Sequence, residues 1–346
     1  MIIIGFILIV IALLAIIMLL IALMADRKYF HRRYDGNPNL KYFTADDFDQ
    51  LIAEPVFFPS DKGQILRGYI YKSKQAEPKG LIIFSHGYGA GHLSYTTEIN
   101  TLAQSGFVVL AYDGTGCVAS SGKYFEGFDQ GPIDLQFAIK FAKEHPYLKS
   151  FGGCVLVGHS WGAFSVMNSV NNPWVYGAVA LCGFIDGASV MAQTAVGQKK
   201  NGYARHFWRI LVPGLAFLNW LKYGKNANKN SIKSLRETSK PVLLLYGEKD
   251  KTVFYPNNGE CIKHAILNKK NITFLSFENK GHNVYLTEQA EKSMYEIFGE
   301  IAKTFRKDKK RALQMYAQID YHRITQEDTA VMDTITAFCK NVSENR

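Results

Sequence analysis

The sequence predicts an α/β chain built on a mostly parallel, doubly wound sheet of eight strands, with helices on both faces and one helical insertion. Three observations carry that prediction. Short apolar runs alternate with helical patterns from residue 81 to residue 277, as buried parallel strands and their crossovers require. Ahead of them, VFFPS (56–60) and ILRGYIY (65–71) flank the turn residues Asp61, Lys62 and Gly63 and read as an antiparallel hairpin. Nearly 60 residues then separate two of the later strands, too long for a structureless loop in a compact domain, so 185–240 is expected to be a mainly helical subdomain.

In chain order the strands after the hairpin are LIIFS (81–85), FVVLAY (107–112), CVLVG (154–158), GAVALCG (177–183), VLLLYG (242–247) and ITFLSF (272–277). Helices are expected near 94–104, 132–144, from 161, and near 256–267. The chain then runs longer than one closing helix needs: a basic run, KTFRKDKKR (303–311), precedes a last amphipathic helix near 328–340. The expected organisation is a core in two parts, 55–184 and 241–346, around an insertion at 185–240.

Residues 2–24 are apolar throughout and reach roughly 34 Å as a helix, enough to cross a bilayer. They read as an uncleaved anchor (1–25), with 26–54 as a juxtamembrane linker. A cleaved signal peptide is the rival, but no basic residue precedes the run, it exceeds the usual apolar stretch of about 7–15 residues, and no A-x-A site follows. Arg27, Lys28, Arg32 and Arg33 face the single acid Asp26, so the positive-inside rule puts the C-terminal domain in the cytoplasm.

A hydrophobic content of 47% suits a real core. Five cysteines, odd in number and without a C-x-x-C pair, suggest neither a disulfide framework nor a zinc site. The net charge of +10 comes with no nucleic-acid recognition motif, and the basic residues are clustered. Residues 185–240 hold ten Lys or Arg against Asp186 and Glu237 alone.

Gly158-His159-Ser160-Trp161-Gly162 fits the G-x-S-x-G elbow, between a strand and a helix, where that motif exposes a serine on a strained turn. A serine needs a base to take its proton, and His282 follows the last strand at the carboxyl edge of the sheet. His86 and His159 belong to other motifs, and His31, His145, His206, His264 and His322 read as surface residues. Asp250, just past VLLLYG, is the acid expected to orient the imidazole, with Asp186 and Glu248 as rivals. The order Ser160, Asp250, His282 is the chain order this elbow motif uses. The glycine-rich segment 86–91 follows a strand and lets the backbone curl over the serine, so the N–H groups of Tyr88 and Trp161 are the expected oxyanion donors. Its spacing fails G-x-G-x-x-G, and the sequence calls for no cofactor and no metal.

The set HGYGAG, YDGTG with SSG (112–122), GHSWG, YGEKD and KGHN resembles the α/β-hydrolase superfamily, nearest to its bacterial serine aminopeptidase-like, monoacylglycerol lipase and lysophospholipase branch. The resemblance spans 55–340. It implies that 185–240 is a cap over the site. One departure is Cys117 and Val118, where relatives show a more polar loop.

The cap stretch HFWRILVPGLAFLNWLKY (206–223) is dense in Phe, Trp, Leu and Ile, with cations at its flanks. That composition suits an acyl chain below an anionic head group, or docking on an anionic leaflet, and equally a helical pair packed on the core. The expected activity is hydrolysis of carboxylic esters, lipid-like ones such as lysophospholipids or monoacylglycerols, through an acyl-enzyme. The alternatives are a peptidase on short peptides and a catalytically silent, membrane-tethered binding protein.

Overall fold

The structure, a computed structural model, describes residues 2–196 and 208–345. It opens with helix α1 (Ile2–Phe30), followed by strands β1 (Leu51–Pro59) and β2 (Ile65–Ser73). Next come β3 (Gly80–Ser85), α2 (Thr96–Gln104), β4 (Phe107–Tyr112), α3 (Gln130–Glu144), β5 (Cys154–His159), α4 (Trp161–Met167) and β6 (Val175–Leu181). The insertion carries α5 (Gly187–Val196), α6 (Val212–Tyr223) and α7 (Ser231–Glu237). The chain ends with β7 (Val242–Gly247), α8 (Gly259–Ala265), β8 (Ile272–Phe277), α9 (Glu288–Phe305), α10 (Lys309–Ala317), α11 (Tyr321–Ile324) and α12 (Thr329–Glu344).

The eight strands form one sheet in the order β1-β2-β4-β3-β5-β6-β7-β8. β2 is antiparallel to both neighbours and the remaining pairs are parallel. Successive side chains of a strand point to opposite faces. Leu81, Ile83, Leu156 and Leu244 therefore enter one core with α3, α4, α7 and α8. Ile82, Phe84, Val155, Val157 and Leu243 enter a second core with α2 and α12. Both faces are covered, which is why these strands read as unbroken apolar runs with no polar alternation.

The C-terminal extension finds its purpose here. Val331, Met332, Ile335, Cys339 and Val342 of α12 lie on one stripe and pack on the sheet. α9, α10 and α11 instead close a small satellite core around Ile301, Ala312, Ile319 and Ile324.

The segment expected as a linker from residue 26 differs in the structure. α1 runs on to Phe30, and Ala22, Ala25, Asp26 and Phe30 are buried. Phe30 stacks on Phe125 and meets Phe128 edge-on, an apolar contact that stabilises the helix end against the core. Residues 31–35 then bind the loop after β4. Tyr34 pairs with Gly116 and Val118 through the backbone, and the Arg33 guanidinium donates to the carbonyls of Gly122 (2.6 Å), Val118 (2.9 Å) and Ser120 (3.1 Å). The loop bearing Cys117 and Val118 is held from outside, by Arg33.

Part of the insertion, 197–207 with His206, lies outside the described residues. Its later loop is tied to the core by Asp129, whose carboxylate accepts from the amides of Asn228 (2.8 Å) and Lys229 (3.1 Å). Burial pushes the Asp129 pKa up to about 6. A carboxyl raised in the folded state contributes stability that is full below its ordinary value near 4 and is lost as pH rises through about 6. The urea-unfolding free energy of wild type relative to Asp129→Asn is expected to rise by about 1–3 kcal/mol as pH falls across that window. A constant difference would remove Asp129 as the titrating group.

Candidate active site

Ser160 sits between β5 and α4 with φ 57° and ψ −114°, a backbone region in which a non-glycine residue costs on the order of 1–3 kcal/mol. Two glycines make the turn possible by close approach. A Cβ on Gly162 would lie 1.9 Å from the Ser85 carbonyl oxygen, and one on Gly158 would lie 2.5 Å from the Gly162 carbonyl. The turn is fixed by bonds from Ser160 N to Leu181 O (2.8 Å) and from Phe164 N to Ser160 O (3.0 Å).

His282 leaves the loop after β8, and its Nδ1 lies 2.7 Å from Asp250 Oδ2. The other Asp250 oxygen accepts from the amides of Thr252 (2.8 Å) and Val253 (2.9 Å), so this buried carboxylate is held on both sides. The rival acids are engaged elsewhere. Asp186 accepts from the Ser189 amide and hydroxyl at the start of α5, and Glu248 accepts from the Ser276 hydroxyl.

Ser160 and His282 are walls of one cleft of about 620 Å³, with Phe30, Tyr88, Phe128 and Met191. A larger groove of about 1430 Å³ passes the far side of Asp250 and His282, but Ser160 is not among its walls. The 86–91 loop runs over the serine: a Cβ on Gly87 would meet Ser160 Cβ at 3.5 Å. Tyr88 follows directly, and Trp161 is the first residue of α4, a position whose N–H has no acceptor within its own helix. His86 locks the loop, Nε2 accepting from Gly114 N (2.8 Å) and Nδ1 donating to Gly87 O (2.8 Å). The Tyr88 hydroxyl donates to Tyr29 O (2.8 Å) and touches the Tyr34 hydroxyl.

Three supporting residues escaped sequence reasoning. Burial holds His159 well below the usual histidine pKa, so its ring is neutral with one proton. Its Nε2 faces His282 O (2.9 Å), an acceptor only, so that nitrogen carries the hydrogen and Nδ1 accepts from Tyr95 Oη (2.8 Å). Tyr95 Oη in turn accepts from Gly87 N (3.0 Å). This chain ties the loop over the serine to the histidine backbone. Glu291 of α9 clamps the loop that carries His282, accepting from Gly281 N (2.9 Å) and Asn283 N (2.7 Å). Tyr95 and Glu291 lie in no short motif, and the elbow motif does not mark the bonds of its His159, because each of the three acts across more than one element. Tyr95→Phe is expected to lower kcat on an ester about tenfold with KM little changed, the size of a lost buried hydrogen bond. An unchanged kcat would leave the chain of bonds without a role in positioning.

Of the other histidines, His31 bonds Asp26 (3.2 Å), and His92, which no motif marks, pairs with Asp113 inside the core (2.8 Å). Cys182 lies under the acid and the base, its Sγ, a carboxylate oxygen of Asp250 and a ring nitrogen of His282 within 4.8 Å of one another. Burial pushes its thiol well up, and the Sγ donates to the Gly281 carbonyl at 3.8 Å.

A family model described as serine aminopeptidase, S33, matches residues 76–213. No curated protein matches the sequence. Among solved structures, the Pyrococcus furiosus esterase Pf2001 is similar with a TM-score of 0.56 at 17% identity, over 80% of this chain and 98% of that one. Brefeldin A esterase, a bacterial homologue of human hormone-sensitive lipase, gives 0.56 at 14% identity over 95% and 86%. The Pyrococcus horikoshii acylaminoacyl peptidase gives 0.51 at 14% identity over 75% of this chain and 42% of that one. A sheet of this order, turned sharply at Ser160, gives the chain the α/β-hydrolase fold, and its residues 76–213 match the serine aminopeptidase family model.

Proposed function

We propose that the chain is a membrane-anchored serine hydrolase that cleaves carboxylic esters of lipid-like substrates, with Ser160 as nucleophile, His282 as base and Asp250 as its orienting acid. The observation that carries this reading is His282, paired with Asp250 at 2.7 Å, on the wall of the same cleft as Ser160. His282 Nε2 takes the Oγ proton as Oγ attacks the ester carbonyl, and the N–H groups of Tyr88 and Trp161 receive the oxyanion. The bond to the alcohol breaks, and the alcohol oxygen leaves with the proton from His282. Water then attacks the acyl-enzyme, again through His282, releasing the acid and restoring Ser160.

The walls of the cleft favour an acyl chain over a peptide amine. Phe30, Phe128, Phe184, Val190 and Met191 supply apolar surface, and among the described lining residues the one charged side chain of fixed sign is the cation Lys251. An aminopeptidase needs a carboxylate for the substrate's amino group, and no Asp or Glu lines the cleft among those residues. The apolar α1 is long enough to span a bilayer, and Arg27 and Lys28 at its end favour a cytoplasmic catalytic domain.

The test is turnover by the full chain of p-nitrophenyl esters of rising acyl length beside aminoacyl p-nitroanilides. Esters of medium or long chain are expected to be favoured over the anilides by at least about 100-fold in kcat/KM, about 2.7 kcal/mol of transition-state binding. Preference for the anilides would overturn the ester reading, and strong preference for the shortest esters would overturn the lipid one.

A further inference from the structure

α1 and the cap helix α6 are clamped together. A Cβ on Gly214 of α6 would lie 3.1 Å from Ala22 Cβ and 3.6 Å from the Met18 carbonyl, so the two helices cross at nearly backbone contact. Lys222, the next-to-last residue of α6, donates to buried Asp26 at 2.5 Å and lies over the Phe30 ring. The crossing point has a depth. The apolar run of α1 ends at Met24, so Ala22 and Met18 lie roughly 3 and 9 Å inside it at 1.5 Å per residue. A helix held against those two residues cannot stay in water while α1 spans a membrane.

The exposed surface of α6 fits that position. Leu215, Asn219 and Tyr223 face the protein. Phe217 and Leu221, three and seven residues after Gly214, fall on the same side of α6 as that crossing and are 47% and 60% exposed; Trp220 is 57% exposed, and Ile210, just before α6, is 52% exposed. This stripe continues the bare apolar surface of α1. Exposed Arg27, Lys28, Arg209 and Lys225 stand at its margins, where lipid phosphates lie. The end of α1 is also a wall of the cleft, through Tyr29 and Phe30, opposite Met191 and Thr194 of α5.

We propose that α6 lies in the leaflet at which α1 ends, with Phe217, Trp220 and Leu221 among the lipids, and that the cleft takes its ester from that leaflet along the junction of α1 with the cap. The feeding step rests on the proposed hydrolase reading; the placement of α6 does not. An interfacial helix buries its apolar face about 5–10 Å into the boundary of head groups and chains, the depth that the Met18 and Ala22 contacts impose.

The test uses the full chain in vesicles of phosphatidylcholine with a minor share of phosphatidylglycerol. Dibromostearoyl phosphatidylcholine is expected to quench a component of tryptophan fluorescence that Trp220→Phe lacks. Phe217→Glu with Leu221→Glu, both at exposed positions outside the cleft, is expected to keep wild-type turnover of a short water-soluble p-nitrophenyl ester. The same pair is expected to lose about tenfold or more on monooleoylglycerol held in the vesicles. Identical quenching of wild type and Trp220→Phe would overturn the placement, as would protection of Trp220 by a second copy of the chain in cross-linked dimers. Unchanged hydrolysis of the vesicle ester by the charged pair would overturn the feeding route. Absence of any ester turnover by wild type would instead sink the hydrolase reading, and the quenching result would still decide where α6 lies.

Discussion

Ser160→Ala is expected to abolish labelling by a fluorophosphonate probe and to lower kcat on any ester by about 10⁴- to 10⁶-fold. The substitution removes one oxygen and leaves the turn intact. Alanine meets the same backbone strain at φ 57° as serine does, and the bonds that fix the turn run through the amide and carbonyl of residue 160 rather than its hydroxyl. The fold should therefore persist, with a thermal midpoint within a few degrees of wild type. Residual rate from the proposed oxyanion donors, the Tyr88 and Trp161 amides, and from cleft binding is expected to set the floor. Equal labelling of the variant would move the nucleophile elsewhere, and loss of labelling together with loss of folding would be exposed by the thermal midpoint. Chemistry and stability separate in this variant because the proposed nucleophile's oxygen bears none of the bonds that hold its backbone.

The parts of the fold that could be read from the sequence are those whose causes are local. LIIFS, CVLVG and VLLLYG are short and apolar because helices cover both faces of the sheet, so their composition alone marks them as strands. Ser160 was legible for a related reason: Gly158 and Gly162 are required by contacts within the motif and with the adjacent strand. The mutual pairing of Asp250 with His282 was expected from chain order, and the structure brings the two together at 2.7 Å. What stayed hidden depends on pairings distant in sequence. Arg33 looks like one of four juxtamembrane cations, yet its guanidinium holds a loop nearly ninety residues away. Asp26 reads as a lone acid in that basic stretch, and its partner Lys222 lies in the cap. Tyr95 and Glu291 are ordinary helix-region residues until the fold places them against Gly87 and the His282 loop. A motif records what a turn needs from itself. It does not record what a neighbouring element lends to it.

Asp250→Asn is expected to lower kcat by about 10⁴-fold at neutral pH while KM changes little. The reason lies in the three donors around the carboxylate. Oδ1 accepts from two backbone amides, Thr252 N and Val253 N, which cannot reverse their polarity. An asparagine must leave its carbonyl oxygen there and turn its NH₂ group toward His282 Nδ1. Nδ1 then has to accept, so the ring proton moves to Nε2, the nitrogen that must be free to take the Ser160 proton. The histidine keeps its place and loses its function as a base. Asp186→Asn and Glu248→Gln supply the contrast, since those carboxylates are engaged by Ser189 and Ser276, and each is expected to change kcat by less than about threefold. Burst kinetics with a p-nitrophenyl ester read the acylation step directly, and Asp250→Asn should slow the burst itself. A fall of less than tenfold in that variant, or an equal fall in either of the other two, would assign the orienting role to a different acid.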